Sequence, residues 1–167
     1  MIHSIIQLSI EDTPAYADVI RRSFETAAKD YGLTIENCPE HWSFKTNEQL
    51  ADKFKEGYYP FGYYIDDKIV GFASLTDLGK QVYELNVVSV IPEYRHRGYG
   101  RALIDFYKAK VKELGGCKIT ISLADTDVTL KKWYINNGFI HTETKTFDNL
   151  PLPVGYMEWI VSQEYKG

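Results

Sequence analysis

The sequence predicts an α/β (α+β) fold in a single domain over residues 1–167. A chain of 167 residues is long enough to bury roughly two-thirds of its unfolded surface around one core. An apolar strand at 81–90 is followed by an amphipathic helix at 101–116 and a second apolar strand at 117–123. This order predicts a parallel, right-handed strand–helix–strand unit. Further strand patterns lie before and after the unit, which indicates a mixed sheet.

The N-terminal part begins with a predicted strand at 2–8, where apolar residues alternate. A helix follows, because Asp12 or Thr13 can cap it, Pro14 suits its first turn and Gly32 can end it. Its predicted apolar face consists of Tyr16, Val19, Ile20, Phe24 and Ala27.

The middle of the chain has a looser pattern until residue 61. The segment 46–56 predicts a short helix, and 61–75 predicts two strands joined by a turn at Asp66 and Asp67. The strand at 81–90 is more continuously apolar than the others, so we expect it at the centre of the sheet.

The C-terminal part predicts two helices and three strands. The helix at 101–116 is closed by two glycines, and a second helix at 125–139 is capped by Asp125 or Thr126 and stopped by Gly138. The inward face of the first helix is predicted as Leu103, Ile104, Tyr107, Val111 and Leu114. The segments 139–147 and 154–162 predict strands, and we expect the last one at an edge of the sheet.

Composition limits the classes of function. A net charge of −4 with 44% apolar residues gives no reason to expect a nucleic-acid or membrane partner. No segment reaches the ~20 apolar residues of a membrane span, and the N-terminus has the pattern of a strand rather than a signal peptide. Cys38 and Cys117 lie far apart without redox or metal spacing, and the histidines share no metal spacing. We therefore expect a cytoplasmic protein without a metal, in which Cys117 is a small buried residue.

One segment, "VVSVIPEYRHRGYGRALI" at 87–104, concentrates positive charge where a helix begins. Arg95, Arg97 and Arg101 surround Gly98 and Gly100. The unpaired N–H groups at the start of a helix attract anions, and glycine lets the backbone approach a phosphate closely. The arginine guanidinium makes bidentate hydrogen bonds to phosphate oxygens. The pattern predicts a pyrophosphate site, although a basic surface turn would contain the same residue types.

Two nucleotide motifs do not fit this segment. A dinucleotide-binding loop requires a third glycine or alanine where Leu103 stands, and a phosphate loop of the Gly-Lys-Ser/Thr type is absent from the sequence. A nucleotide-binding protein that uses the same residues in another way remains an alternative.

The ordered motifs resemble the GNAT family of N-acetyltransferases. Arg95-His96-Arg97-Gly98-Tyr99-Gly100 after "VSVIPEY" resembles the family's Arg/Gln-x-x-Gly-x-Gly/Ala loop, and "LKKWYINNGF" resembles its Leu-Tyr-x-x-x-Gly-Phe segment. The resemblance implies a twisted, mostly antiparallel mixed sheet of about six or seven strands, with a parallel pair at the acetyl-CoA site and about four helices. It also implies acetyl transfer from acetyl-CoA to a primary amine by direct attack in a ternary complex.

The resemblance implies two catalytic residues. Tyr134 occupies the position of the family's tyrosine, whose phenol can protonate the leaving thiolate. Glu84 occupies the position of the glutamate that serves as base in the histone-acetylating branch, although many members use water chains instead. The alternatives are that Tyr134 packs in the core and that Glu84 pairs with a surface lysine. A covalent mechanism through Cys117 is disfavoured.

The resemblance also implies the cofactor contacts. The end of the central strand would offer a backbone N–H to the thioester carbonyl and bind the pantetheine arm. Asp127 stands where the family commonly has asparagine, so contacts from its side chain are less certain than those of the loop. The predicted cofactor-binding residues are Val88, Ser89, Val90, Arg95, His96, Arg97, Gly98, Tyr99, Gly100, Arg101, Asp127 and Leu130.

The acceptor is left open as a small-molecule amine or a peptide or protein amine. By resemblance it enters beside residues 25–60 and the loop "FDNLPLPVGY", and the aromatic residues there would suit a cationic amine with an apolar portion. Ordinary core packing explains the same residues, which are Tyr31, Trp42, Phe44, Tyr58, Tyr59 and Phe61. A non-catalytic sensor or regulatory module that binds CoA or acyl-CoA is the alternative function, and the protein is a monomer or a homodimer.

Overall fold

The computed structural model describes residues 1–54 and 58–161, and the described residues form strands and helices in the predicted order. The strands are β1 His3–Gln7, β2 Tyr58–Ile65, β3 Lys68–Gly79, β4 Val82–Val90, β5 Lys118–Ala124, β6 Ile140–Lys145 and β7 Val154–Ile160. The helices are α1 Thr13–Asp30, α2 Asn47–Lys53, α3 Tyr99–Glu113 and α4 Val128–Asn136. The last residues of the helix predicted at 46–56, and residue 162 of the last predicted strand, lie outside the described residues.

The strands form a seven-stranded mixed sheet in the order β1-β2-β3-β4-β5-β7-β6. β4 and β5 are parallel, with Val82 opposite Lys118 and Glu84 opposite Thr120. The pairs β1–β2, β2–β3, β5–β7 and β6–β7 are antiparallel. The predicted fold class, the hairpin of β2 and β3 and the central place of β4 are therefore confirmed.

The expected edge position of the last strand is wrong. β7 lies between β5 and β6, so the edges of the sheet are β1 and β6. β7 pairs with β5 along its whole length, and alternate side chains of β7 are buried. All residues of β6 are exposed, as expected for an edge strand.

The described residues cluster into two compact units. The first is drawn from Met1–Thr76 and Asn86–Leu103, and the second from Asp77–Leu85 and the residues from Ile104 onward. A single domain over 1–167 remains our prediction. Among the described helices, none combines the length and the apolar character that crossing a membrane would require.

The core of the first unit is built on α1. Pro14 stands in the first turn of α1 and Asp12 precedes the helix, as predicted, although the Asp12 side chain makes no capping hydrogen bond. Tyr16 and Ile20 are buried, and the Tyr16 ring stacks on Phe72 with ring centroids 5.1 Å apart. The apolar period of α1 therefore identifies the face that packs in this core.

The second unit is built on α3, β5, β7 and α4. Ile104, Tyr107 and Val111 are fully buried, as the sequence predicts. Lys108 is also buried, which the sequence did not indicate: its ammonium group donates to the Asn137 carbonyl and lies 5.1 Å from the centre of the Trp159 ring. A lysine can be buried in this way because the carbonyl at the end of α4 and the aromatic face both stabilise a cation.

The expected burial of Cys117 is wrong. Its side chain is exposed, because Cys117 precedes β5 rather than lying in the strand. Its backbone is nevertheless held on both sides: its N–H donates to the Gln81 carbonyl at 2.7 Å, and its carbonyl accepts from the Val161 N–H at 3.0 Å.

Candidate active site

The loop before α3 leaves the start of that helix exposed. His96 and Gly98 have positive φ angles, +62° and +85°, and a Cβ atom placed on Gly98 would meet no atom within 4 Å. The Ala102 N–H donates to the Gly98 carbonyl at 3.0 Å, which is the first bond of the helical ladder. The N–H groups of Tyr99 and Gly100 lie in the first turn of the helix, where no carbonyl stands one turn earlier to accept from them.

The electrostatics of this helix start favour an anion. The first turn of α3 contains no acidic residue, and the residue before it, Gly98, has no side chain that could accept from the N–H groups of that turn. A helix start carries about half a positive charge, and exposed Arg97 and Arg101 add full charges beside it. The first unit contains this whole helix start and the loop before it. It therefore includes all of the predicted loop residues His96, Arg97, Gly98, Tyr99, Gly100 and Arg101.

Arg95 and Arg97 of the predicted site have different surroundings. The Arg97 guanidinium is exposed and lies 5.3 Å from the centre of the Tyr94 ring. The Arg95 guanidinium instead donates three hydrogen bonds to the protein, to the Val90 carbonyl, Thr26 Oγ1 and the Ser23 carbonyl. Burial lowers the pKa of Arg95, and the negative charges of Glu93 and Asp30 partly offset this lowering.

The end of β4 is irregular where the sequence predicts contacts with the thioester and the pantetheine arm. Val87 is buried and has a φ of +58°, which is rare for a β-branched residue. Ser89 is buried and its hydroxyl donates to the Val87 carbonyl at 2.8 Å, while the Val90 N–H donates to Ser23 Oγ at 3.2 Å. Strained backbone of this kind is concentrated at functional sites. The positive φ of Val87 has no signature in the sequence.

Glu84 lies in the part of β4 that belongs to the second unit. It is half-buried, between buried Tyr83 and Leu85, and stands opposite Thr120 of the parallel strand β5. Alternation along β4 explains this position, since successive side chains of a strand point to opposite faces of the sheet.

Tyr134 also belongs to the second unit, on α4. Its side chain is buried, and its ring packs edge-on against Trp133 and Phe139 at centroid distances of 5.0 and 5.5 Å. Burial raises the pKa of Tyr134 above that of an ordinary tyrosine. The phenol therefore keeps its proton at neutral pH, as a general acid must before it donates.

Asp127, Leu130 and Tyr134 share one face of α4, and the predicted cap of this helix is wrong. Asp127 and Leu130 are half-buried and Tyr134 is buried, so burial increases along this face. The cap of α4 is Asp127, whose carboxylate accepts from the Leu130 N–H at 3.1 Å, and not Asp125 or Thr126. The Asp125 carboxylate instead accepts from Lys131, at 2.6 Å, and from a threonine hydroxyl of β6.

One aromatic residue of the expected acceptor side, Tyr58, lines a cavity in the first unit. Trp42 stacks on Phe54 at 6.4 Å and Tyr58 packs edge-on against Phe54 at 5.7 Å. The cavity has a volume of about 440 Å³ and is lined by Gln7, Leu8, Ser9, Ile10, Tyr16, Phe54, Tyr58 and Pro60. Of the predicted aromatic residues only Tyr58 lines it; Tyr16 and Phe54 were not predicted there, because their apolar patterns indicate helix packing alone. Within 1–54 and 58–161, no group of three or more His, Cys, Asp or Glu side chains is placed to hold a metal ion.

Comparisons with known proteins agree with this architecture. The sequence profile of the acetyltransferase (GNAT) family matches residues 21–139. No curated protein sequence matches the chain.

Three solved structures illustrate the similarity of the fold. PaiA N-acetyltransferase from Thermoplasma acidophilum, in complex with coenzyme A, is 23% identical with a TM-score of 0.76, over 96% of this chain and 99% of that one. The ribosomal-protein-S18-alanine N-acetyltransferase from Escherichia coli is 17% identical with a TM-score of 0.76, over 96% and 94%. A chimera of spermidine N-acetyltransferase SpeG from Vibrio cholerae and hSSAT is 13% identical with a TM-score of 0.76, over 99% of both chains.

The profile spans most of the 167 residues and includes the loop before α3, Glu84 and Tyr134. The chain therefore belongs to the acetyltransferase (GNAT) family and is classed as an acyltransferase of that type.

Proposed function

We propose that this protein is an acetyl-CoA-dependent N-acetyltransferase that acts on a primary amine by direct attack in a ternary complex. The observation that carries the proposal is the start of α3, where the N–H groups of the first turn and the cations of Arg97 and Arg101 follow or flank Gly98, on which a Cβ would meet no atom within 4 Å. A chain of this family needs such a place for the diphosphate of its co-substrate.

The residues at this helix start fit coenzyme A. Gly98 adopts a φ of +85° that favours glycine, and the absence of a Cβ keeps the space in front of the N–H groups clear. We assign the diphosphate to the backbone of residues 98–101, with His96, Arg97 and Arg101 as the adjoining side chains. Bound acetyl-CoA supplies the thioester whose carbonyl carbon the amine attacks and whose thiolate leaves.

We assign the thioester oxygen to backbone N–H groups of Val88 and Ser89. The Val90 N–H already donates to Ser23 Oγ, so Val90 keeps only the proposed contact with the pantetheine arm. Asp127 and Leu130 remain proposed cofactor contacts on α4, where the Asp127 carboxylate is also engaged as the helix cap. Fixed N–H groups stabilise the charge that develops on a thioester oxygen during amine attack.

Two side chains would move protons. Glu84 would accept the proton of the amine, directly or through water, because an alkyl ammonium group with a pKa near 10.4 cannot attack. As the new C–N bond forms and the C–S bond breaks, Tyr134 would give its phenolic proton to the sulfur. The burial that keeps this phenol protonated supports the assignment.

The experiment that tests the proposal is a thiol-release assay with acetyl-CoA and a panel of polyamines, aminoglycosides, amino acids and peptides, together with calorimetric titration of CoA. The panel covers both acceptor classes, because similar structures include enzymes named for a protein alanine and for spermidine. We expect CoA binding and amine-dependent thiol release. Strong CoA binding without turnover on any amine would favour the sensor, and stabilisation by ATP or NAD without CoA binding would favour a nucleotide-binding protein.

A further inference from the structure

We infer that Arg95 is a positioning residue, which holds the coenzyme A loop against α1, and that it is not a phosphate ligand. The inference rests on the proposed function, since it concerns how the loop before α3 is made ready for the diphosphate. Arg95 is the first residue of the Arg-x-x-Gly-x-Gly motif, so the sequence alone suggests the opposite role.

The guanidinium of Arg95 is committed to three acceptors of the protein. Nη2 donates to the Ser23 carbonyl at 2.7 Å, Nη1 to Thr26 Oγ1 at 3.2 Å and Nε to the Val90 carbonyl at 3.2 Å. All three nitrogens of the fork are therefore engaged, two of them with α1 and one with the end of β4. These hydrogen bonds use three of the five N–H donors of the guanidinium, so Nε has no N–H left for a phosphate and each Nη has one.

These contacts close a ring of hydrogen bonds. Ser23 Oγ accepts from the Val90 N–H, the Val90 carbonyl accepts from Arg95 Nε, and Arg95 Nη2 returns to the Ser23 carbonyl. Ser23 takes part through its hydroxyl and its carbonyl, and Val90 through its N–H and its carbonyl. Because the ring includes residues on both sides of the 3-10 turn Pro92–Tyr94, it fixes where the chain leaves that turn.

The residues after the ring form the proposed diphosphate site. His96 and Gly98 follow directly with positive φ angles, and α3 begins at Tyr99. A second ion pair, between Arg22 of α1 and Glu93, ties the same turn to the same helix. Loss of the Arg95 hydrogen bonds would let the loop sample other conformations, and CoA binding would then have to order it again.

The surroundings of Arg97 differ from those of Arg95 and provide a matched control. Arg97 is exposed and lies two residues further along the same loop. Its guanidinium lies 5.3 Å from the centre of the Tyr94 ring. Substitution of either arginine by methionine removes one positive charge from the loop. Only Arg95→Met also removes donors from the hydrogen-bonded ring.

The test is calorimetric titration of CoA at low and high salt, with the melting temperature of each free variant recorded. We expect Arg95→Met to weaken CoA binding about tenfold or more, because a fixed loop binds better than one that must be ordered. A weakening of this size should remain at high salt, where the loss of one charge is screened but the loss of a tether within the protein is not. Arg97→Met should weaken binding mainly at low salt.

Two further variants keep the inference falsifiable if Arg95→Met folds poorly. Arg95→Gln keeps two amide donors without the charge, so it should recover most of the affinity. Thr26→Val removes one acceptor from an exposed position of α1, and should weaken CoA binding in the wild-type background but not in the Arg95→Met background.

Three results would overturn the inference: a weakening by Arg95→Met that fades at high salt, affinity for Arg95→Gln no better than for Arg95→Met, or a lowered melting temperature with unchanged CoA affinity. The first two would make Arg95 a phosphate ligand and the third a purely structural residue, while wild-type CoA binding persists in all three. A wild-type protein that does not bind CoA would refute the proposed function, and this inference with it.

Discussion

The helices α3 and α4 both begin after a strand of the parallel pair, but their first turns are satisfied in different ways. α4 is capped by Asp127, the residue before its first turn, whose carboxylate accepts from the Leu130 N–H at 3.1 Å. α3 begins after Gly98, which has no side chain, and its first turn contains no acidic residue. The chain thus neutralises the positive end of one helix itself and leaves the positive end of the other accessible.

This difference indicates a division of labour between the two helices. An accessible helix start with arginines beside it attracts an anion, whereas a capped one has little left to offer a ligand. The residue of α4 that we assign to catalysis, Tyr134, lies near the other end of that helix. We therefore expect variants at the start of α3 to change binding, and variants in the second unit at Tyr134 and Glu84 to change the rate.

The largest effect is expected from Tyr134→Phe, which tests whether α4 carries the chemistry. The turnover number should fall about 100-fold or more, because general acids contribute on the order of 10²–10⁴ in rate. CoA affinity should change less than about twofold, since the ring and its packing remain. Steady-state kinetics with titration of CoA measures both. Tyr107→Phe, which also removes a buried tyrosine hydroxyl in the second unit, should leave turnover nearly unchanged.

The raised pKa of Tyr134 should be visible in the pH dependence of the turnover number. Because burial raises the pKa of Tyr134, its phenol should stay protonated beyond the ordinary tyrosine pKa of about 10. The wild-type turnover number should therefore show no loss near that pH that depends on Tyr134. A loss at or below pH 10 that Tyr134→Phe eliminates would show that the pKa of Tyr134 is not raised, although Tyr134 would still be the acid.

The next effect concerns Glu84→Gln, which removes the proposed base without changing the size of the side chain. The rate at neutral pH should fall by about 10²-fold and rise more steeply with pH, because the amine must then lose its proton to solvent. pH–rate profiles of the two proteins measure this. Glu158→Gln alters another half-buried carboxylate of the second unit and serves as control. Parallel profiles for wild type and Glu84→Gln would exclude Glu84 as the base.

A smaller effect should distinguish Gly98→Asp from Gly98→Asn. Both residues tolerate a positive φ better than other side chains and have nearly the same shape, so they differ mainly in charge. At low salt Gly98→Asp should bind CoA about tenfold more weakly than Gly98→Asn, and the difference should shrink as salt is added. Titration of CoA at two salt concentrations measures it. Equal affinities would show that no anion binds at the start of α3.

The smallest effect is expected at the capped helix. Asp127→Ala should lower the free energy of unfolding by about 1 kcal/mol, while Asp127→Asn should retain most of the cap. Urea unfolding measures both. If Asp127→Asn unfolds like the wild type yet binds CoA several-fold more weakly, the carboxylate has a direct role at the cofactor, and the contrast between the two helix starts becomes smaller.

Much of the fold is predictable because it depends on near neighbours along the chain. The apolar period of α1 and α3, the turn at Asp66 and Asp67 and the positive φ of Gly138 all follow local rules. The loop before α3 was identified in the same way, from residues within one short segment. The predicted cap of α4 was wrong by one or two residues because neighbouring Asp125, Thr126 and Asp127 are all good capping residues, and Asp125 is engaged by Lys131 instead.

Local sequence patterns were enough to predict the order of strands and helices, the parallel pair of β4 and β5, and the glycine-containing helix start that marks the family. They did not predict that β7 is an inner strand, that Lys108 is buried on Trp159, that Val87 takes a positive φ or that the Arg95 guanidinium points to α1. The physical reason is that strand neighbours, burial and the partners of a long cationic side chain are set by residues far away in the chain, which no local pattern encodes.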